Sequence, residues 1–166
     1  MLNKYKLIVL ILLAILSFIF GVYSTYANPI QTNIMNLNDE RQIKCMADNA
    51  YFEAGNQPIK SQMAVSNVII NRTKYNKIFS DTPCGVVYQK HGNHCQFSWV
   101  CSNKLPHINQ KVYQKAYKIA EYVYRKNTYD VSNGALFFHA IYVHPNWKHM
   151  IKTTQLGPMI FYKEQI

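Results

Sequence analysis

Acidic side chains are scarce in this chain: eight, against 18 Lys and Arg. They are Asp39, Glu40, Asp48, Glu53, Asp81, Glu121, Asp130 and Glu164. Scarcity makes the setting of each one informative. Glu53 stands in Ala50-Tyr51-Phe52-Glu53-Ala54-Gly55-Asn56, behind two aromatics and just ahead of a glycine. An apolar, low-dielectric setting disfavours the carboxylate and raises its pKa, which suits a general acid near neutral pH. The competing reading is a helix-end charge paired with Arg72 or a lysine. The other acids have plainer settings. Asp39 and Glu40 fit a first helical turn, Glu121 a polar helix side, Asp81 and Asp130 turns, and Glu164 the terminus. Asp48 precedes Glu53 by five residues, about 140° around a helix, so the two need not share a face.

The histidines are His91, His94, His107, His139, His144 and His149. His139 follows Phe137-Phe138, where alternation would turn neighbours toward core and cleft in turn; a hydrogen-bonded core histidine is the plainer reading. Ser98 lies between Phe97 and Trp99, but the GxSxG elbow of a Ser–His–Asp triad is absent. No CxxC or HxxxH spacing supports a metal site, so neither a metal nor another cofactor is expected. Cys45, Cys84, Cys95 and Cys101 suggest disulfides if the chain is exported. Four thiols allow three pairings. Cys95–Cys101, local around Gln96-Phe97-Ser98-Trp99-Val100, is the first expectation, and Cys45–Cys84 follows by elimination.

Export is suggested by the N-terminus. Lys4 and Lys6 precede an apolar run from Leu7 to Val22, followed by Ser24-Thr25-Tyr26-Ala27. Charged, apolar and small-residue regions in that order describe a secretory signal over residues 1–27, cleaved after Ala27. The run is slightly short of the roughly 20 residues that span a bilayer comfortably, yet an uncleaved anchor through residues 7–22 can be accommodated. The formal charge of +10 on 166 residues favours an anionic partner such as nucleic acid, membrane or wall polymer. No nucleic-acid-binding motif accompanies it, and export would carry the chain away from DNA.

Residues 28–38 read as a polar leader and 39–166 as one domain. Asn38 or Asp39 can cap a first helix whose apolar stripe is Ile43, Met46, Ala47, Ala50, Tyr51 and Ala54. Gly55-Asn56, both tolerant of a left-handed backbone, would stop it. Glu53 then falls in the last turn, against the negative end of the helix dipole, which also raises a carboxyl's pKa. A second, buried helix is predicted from Pro58 to about Tyr75, with Asn67 and Asn71 on one side. Thr82-Pro83 opens a short helix through Gln89, and Cys95-Gln96-Phe97-Ser98-Trp99 alternates like a short strand. A long helix covers Asn109–Lys126, with Val112, Ala116, Ile119, Ala120 and Val123 inward. Aromatic-rich extended segments start at Ala135 and Met159. Helices first and strands later predict an α+β domain, mainly helical with a small antiparallel sheet.

Several segments together resemble the catalytic domain of the SleB/CwlJ-type cell wall hydrolases: "MADNAYFEAGNQP", "QMAVSNVIINRTKY", "CGVVYQ", "CQFSW", "GALFFHAIYVHPNW" and "LGPMIFYK". They occur in the family's order and cover essentially 42–163. The resemblance implies a lysozyme-like fold and cleavage of peptidoglycan glycan strands between N-acetylmuramic acid and N-acetylglucosamine, in some members by lytic transglycosylation. Glu53 matches the family's catalytic glutamate, Gln96, Phe97 and Ser98 its cleft strand, and His139 its "FH" position. Tyr51, Phe97 and Trp99 would then shape the glycan groove, with Ser98 and His139 bonding to sugar substituents. Two departures stand out: Gly55-Asn56-Gln57 replaces the usual continuation after the glutamate, and Met159 replaces a histidine. A paired-acid glycosidase would need a second carboxylate about 5–9.5 Å from Glu53. None offers itself, so a one-acid mechanism fits better. The alternative in another class is a non-catalytic wall-binding module. The N-terminal segment, read as an export signal, places the domain in periplasm, wall or medium, tethered to the membrane if that segment is retained, and the oligomeric state is open.

Overall fold

The computed structural model describes residues 2–75, 78–104, 106–126 and 129–165, with side chains at 4–22 and, within those ranges, from 31 onward. The chain divides into two units, Met1–Glu40 and Arg41–Ile166. Helix α1 runs Leu2–Ala54. Its Lys4–Val22 stretch is long and apolar enough to cross a membrane, and its large side chains, Leu10, Phe18 and Phe20 among them, are exposed. An apolar run left uncovered in this way fits a targeting or anchoring segment. The side chains around the expected cleavage point after Ala27 lie outside the described residues.

The first helix does not begin at Asn38 or Asp39 as the capping residues suggested. Residues 31–38 contain neither Gly nor Pro, and a helix already nucleated upstream extends through such a stretch at one hydrogen bond per residue. In the second unit the expected stripe is present: Ile43, Met46, Ala47 and Ala50 are fully buried and Ala54 nearly so, while Tyr51 is half-buried. The helix ends at Ala54, but Gly55 is not left-handed; the positive-φ residues are Gly92, Asn133, Gly134, His149 and Gly157. Gly55 is needed for close approach instead. A Cβ there would meet the Tyr51 carbonyl oxygen at 2.5 Å. The Gln62 amide donates to the carbonyls of Gly55 (3.2 Å) and Gln57 (2.9 Å) and holds the turn.

Helix α2, Ile59–Lys74, follows Pro58 directly and buries Ala64, Val65, Val68 and Ile69 completely. It packs on α4, Gln110–Lys126, whose Ala116, Ile119, Ala120 and Val123 face inward while Val112 is half-buried. Asn109 caps α4, its Oδ1 accepting the Val112 amide at 3.2 Å. The short α3, Pro83–Val87, ends before Gln89 and is capped by Thr82. Disulfide Cys45–Cys84 ties α1 to α3, and Cys95–Cys101 closes a local loop.

The segment from Cys95 to Trp99 is not a strand. Only β1, Lys90–His91, and β2, His94–Cys95, pair, as a hairpin; Ser98–Cys101 is a 3-10 turn. Six extended residues would separate the cysteine Cα atoms by about 20 Å, whereas the bridge holds them 5.9 Å apart. The larger sheet is antiparallel in the order β3-β5-β4, with β3 Phe137–Ala140, β4 Met150–Leu156 and β5 Met159–Glu164. Strand β4 was not anticipated, because its Lys-Thr-Thr-Gln centre lacks an apolar alternation. Gly157, at φ 57°, is the first residue of the two-residue turn joining β4 to β5, a position that calls for glycine.

Met159 and Phe161 turn inward with Ala54, Ala64, Val65, Val68 and Ala135. The position of the expected histidine therefore faces the core. The turn before β3 is held by Asp130. Its carboxylate accepts from Asn71 Nδ2 (2.9 Å), Ser132 N (2.8 Å), Ser132 Oγ (2.6 Å) and Gly134 N (2.7 Å). Partial burial pushes the Asp130 pKa up, but these hydrogen bonds outweigh it and hold it below the usual range. A depressed folded pKa stabilises above the unfolded value and is lost as pH falls through the folded one. Asp130→Ala is expected to cost about 1–3 kcal/mol at neutral pH, given the partial exposure. Urea unfolding should show that gap narrowing as the pH drops below the carboxylate range.

Candidate active site

Glu53 is placed by the last turn of α1, half-buried. Burial is the larger influence and raises its pKa, with the positive charge of Arg72 pulling the other way. The net direction is upward, toward a carboxyl that stays protonated at higher pH than a free glutamic acid.

Arg72, in the last turn of α2, is 3% exposed. Its Nε donates to the Leu136 carbonyl at 2.7 Å. Its guanidinium carbon lies 4.8 Å from the ring centre of Phe79, 5.3 Å from Phe97 and 5.8 Å from Phe137. Such cation–π contacts partly replace the lost water. Burial still lowers the Arg72 pKa to about 10, against the raising effect of Glu53. Nη1 is buried without a hydrogen-bond partner. A charge this costly to bury has an electrostatic consequence: it favours the ionised form of Glu53 without being able to swing into water.

These two residues line a cleft of ≈ 360 Å³ with Cys95, Gln96, Phe97, Ser98, Phe137, Phe138 and Trp147. Five segments build it: the end of α1, the end of α2, the disulfide-closed turn, strand β3, and the connection from β3 to β4. Gln96, Phe97 and Ser98, which the family resemblance had grouped with Glu53, line the same cleft. Among the lining residues Glu53 is the sole carboxylate. Asp48 is engaged elsewhere, accepting from Lys44 Nζ (2.8 Å), Tyr113 OH (2.7 Å) and Tyr88 OH (3.5 Å).

Tyr51 and Trp99 do not line this cleft. The Tyr51 hydroxyl accepts the Asn109 amide at 2.9 Å, and its ring meets Phe52 and Tyr113 edge-on. Trp99 stacks on Phe52 at 4.6 Å and donates from Nε1 to Asn49 Oδ1 at 3.2 Å. His139 lies in a second cleft, which shares Trp147 with the first. Its Nδ1 is 2.8 Å from the Ala140 carbonyl, which can only accept, so Nδ1 donates there, and Nε2 lies 3.1 Å from Tyr162 OH. Both nitrogens of His139 are engaged by the protein itself.

Arg72, Phe137, Phe138 and Trp147 are cleft residues that the sequence did not single out. Arg72 had been considered only as an ion-pair partner. Trp147 reaches the cleft through ring contacts with Phe137, His139 and Tyr162, and no local pattern encodes those. Chemically, the cleft offers one neutral-leaning carboxyl, a fixed positive charge behind it, two polar side chains at its wall, and aromatic faces.

The sequence profile of the cell wall hydrolase family matches residues 56–162. That span begins just after Glu53. Two solved structures are similar. The catalytic domain of the Bacillus cereus SleB protein is 25% identical, with a TM-score of 0.56, over 74% of this chain and 89% of that one. The catalytic domain of the germination-specific lytic transglycosylase SleB from Bacillus anthracis is also 25% identical, with a TM-score of 0.51, over 74% of this chain and 93% of that one. No curated protein matches the chain significantly.

Proposed function

The chain belongs to the cell wall hydrolase family, and from that premise we propose that it cleaves peptidoglycan glycan strands between N-acetylmuramic acid and N-acetylglucosamine, as a lytic transglycosylase with Glu53 as its one acid. The observation that carries this reading is Glu53 itself, the sole carboxylate lining the cleft, with its pKa pushed up by burial. Protonated Glu53 donates to the glycosidic oxygen as the bond to the muramic acid breaks. The resulting carboxylate then takes the proton of the muramic acid 6-hydroxyl, whose oxygen closes onto C1 to give a 1,6-anhydro end. Arg72 suits the second half, because its fixed charge stabilises the carboxylate that exists only between the two steps. In this reading Gln96 and Ser98 bond sugar substituents and Phe138 and Trp147 cover ring faces, with the buried Phe97 behind them. The unit bearing the cleft works outside the membrane, with Lys4–Val22 as its export signal or tether.

The test is digestion of purified peptidoglycan followed by mass spectrometry of the fragments. Anhydro ends are expected; reducing ends alone would mean hydrolysis by water, and wall association without any cleavage would mean a binding module. The pH profile carries a sign as well. The acid must be neutral at the first step, so activity is expected to fall as pH rises through the raised pKa of Glu53. It should persist to higher pH than an exposed glutamic acid, half ionised at about 4.3, would allow. Activity confined below that point would contradict the role of burial.

A further inference from the structure

The second cleft, of ≈ 490 Å³, adjoins the first across Trp147 but differs from it chemically. Ile141, Val143, Pro145, Met150 and Ile160 make up most of its lining. Ile141 is 47% exposed and Val143 41%, so this apolar wall is open to solvent. The ring nitrogens of His139 are already taken by the Ala140 carbonyl and Tyr162. A sugar ring placed here would find both imidazole nitrogens of His139 occupied, and unmet polar groups are costly to desolvate.

Two cations stand near lining residues in the chain, Lys148 next to Trp147 and Lys152 two residues past Met150, whereas Glu164 pairs with Met150 across the sheet and Lys163 lines a different pocket. His144 lines the cleft, and exposed Lys148 and His149 stand close by in the chain. Exposed apolar side chains with Lys148 and Lys152 nearby in the chain complement a short chain with small apolar side chains and free carboxylates. The muramic acid of peptidoglycan carries such a group, the peptide stem attached through its lactyl ether.

We propose that this second cleft binds the peptide stem, so that the protein selects stem-bearing strands over bare glycan. The inference rests on Glu53's cleft being the glycan site, since continuity through Trp147 is what brings the stem within reach.

The test uses full-length Glu53→Gln protein in detergent micelles. Its binding is measured by calorimetry to soluble glycan strands with intact stems and to the same strands stripped by an amidase. Stem-bearing strands are expected to bind about tenfold more tightly, the scale of burying one or two methyl-sized groups with a favourable charge. Ile141→Asp and Val143→Asp, both at exposed positions, should each shrink that ratio by setting an acid against the stem. Equal binding of the two substrates, tighter binding of stripped strands, or no binding of either overturns the proposal. Cleavage by the wild-type chain is scored in parallel. Stem-dependent binding without cleavage would sustain this inference and remove the catalytic one.

Discussion

Glu53→Gln is expected to abolish glycan cleavage while making the fold more stable at neutral pH. Loss of a general acid typically costs about 10²–10⁴-fold in rate. Gln keeps the shape but has no proton to give at the first step and no charge to accept one at the second. The stability effect has the opposite sign and follows from linkage. A folded pKa raised above its unfolded value contributes stability that is fully present below the unfolded pKa and is lost as pH rises through the folded one. Burial raises Glu53 in this way, with Arg72 opposing. The wild-type chain therefore gives up stability as pH rises past that point, and the amide, neutral throughout, does not. Melting curves at acidic and neutral pH should coincide at the first and separate at the second. Each kcal/mol would appear as roughly 2–4 °C or somewhat more in a unit of this size. A variant that melts lower at neutral pH, or that still cleaves, would show Glu53 to be an ordinary helix-end charge.

The second large effect is structural. Replacing Cys45 and Cys84 together by Ala should cost about 4 kcal/mol, whereas replacing Cys95 and Cys101 should cost only about 2 kcal/mol. The difference comes from loop length, 39 residues of separation against six, because a longer closed loop removes more freedom from the unfolded chain. Guanidinium unfolding of the two double variants gives the comparison directly. Activity should rank them in reverse relative to stability. Cys95–Cys101 encloses Gln96, Phe97 and Ser98 at the cleft wall, and Cys45–Cys84 touches the cleft with neither sulfur. If the long-loop pair proves dispensable for stability, the helix contacts of α1 and α3 hold without it.

What the sequence discloses about the site is set by whether the information is local. Glu53 stands out because acids are few and its neighbours are aromatic, both readable in one window. The helical stripes of α1, α2 and α4 are periodic and were placed within a residue or two. Tyr51 and Trp99 show where proximity in sequence misleads. Tyr51 is only two positions from Glu53, but about 200° around the helix, and Trp99 turns to Phe52 on α1 rather than to the cleft. Arg72, Phe137, Phe138 and Trp147 converge from distant segments, and only the assembled sheet brings them together. The start of α1 was misplaced for a different reason: a capping residue permits a helix to begin but cannot stop one arriving from upstream. Strand β4 was hidden because pairing with β5, not apolar alternation, makes it a strand.

Strand β5 carries one more consequence. Met159 and Phe161 face the core while Ile160 and Tyr162 face the second cleft. Because the side-chain period of a strand is two, a slip of one residue exchanges the faces. A single codon deleted between Met159 and Tyr162 would therefore set cleft residues into the interior and core residues into the binding surface. Two adjacent codons removed together would preserve the alternation. The β3–β4 connection, with Tyr142 79% exposed, carries no such parity rule. Length variation in this protein should accumulate there, where specificity can drift without disturbing the interior, and the deletions tolerated in β5 should come in pairs.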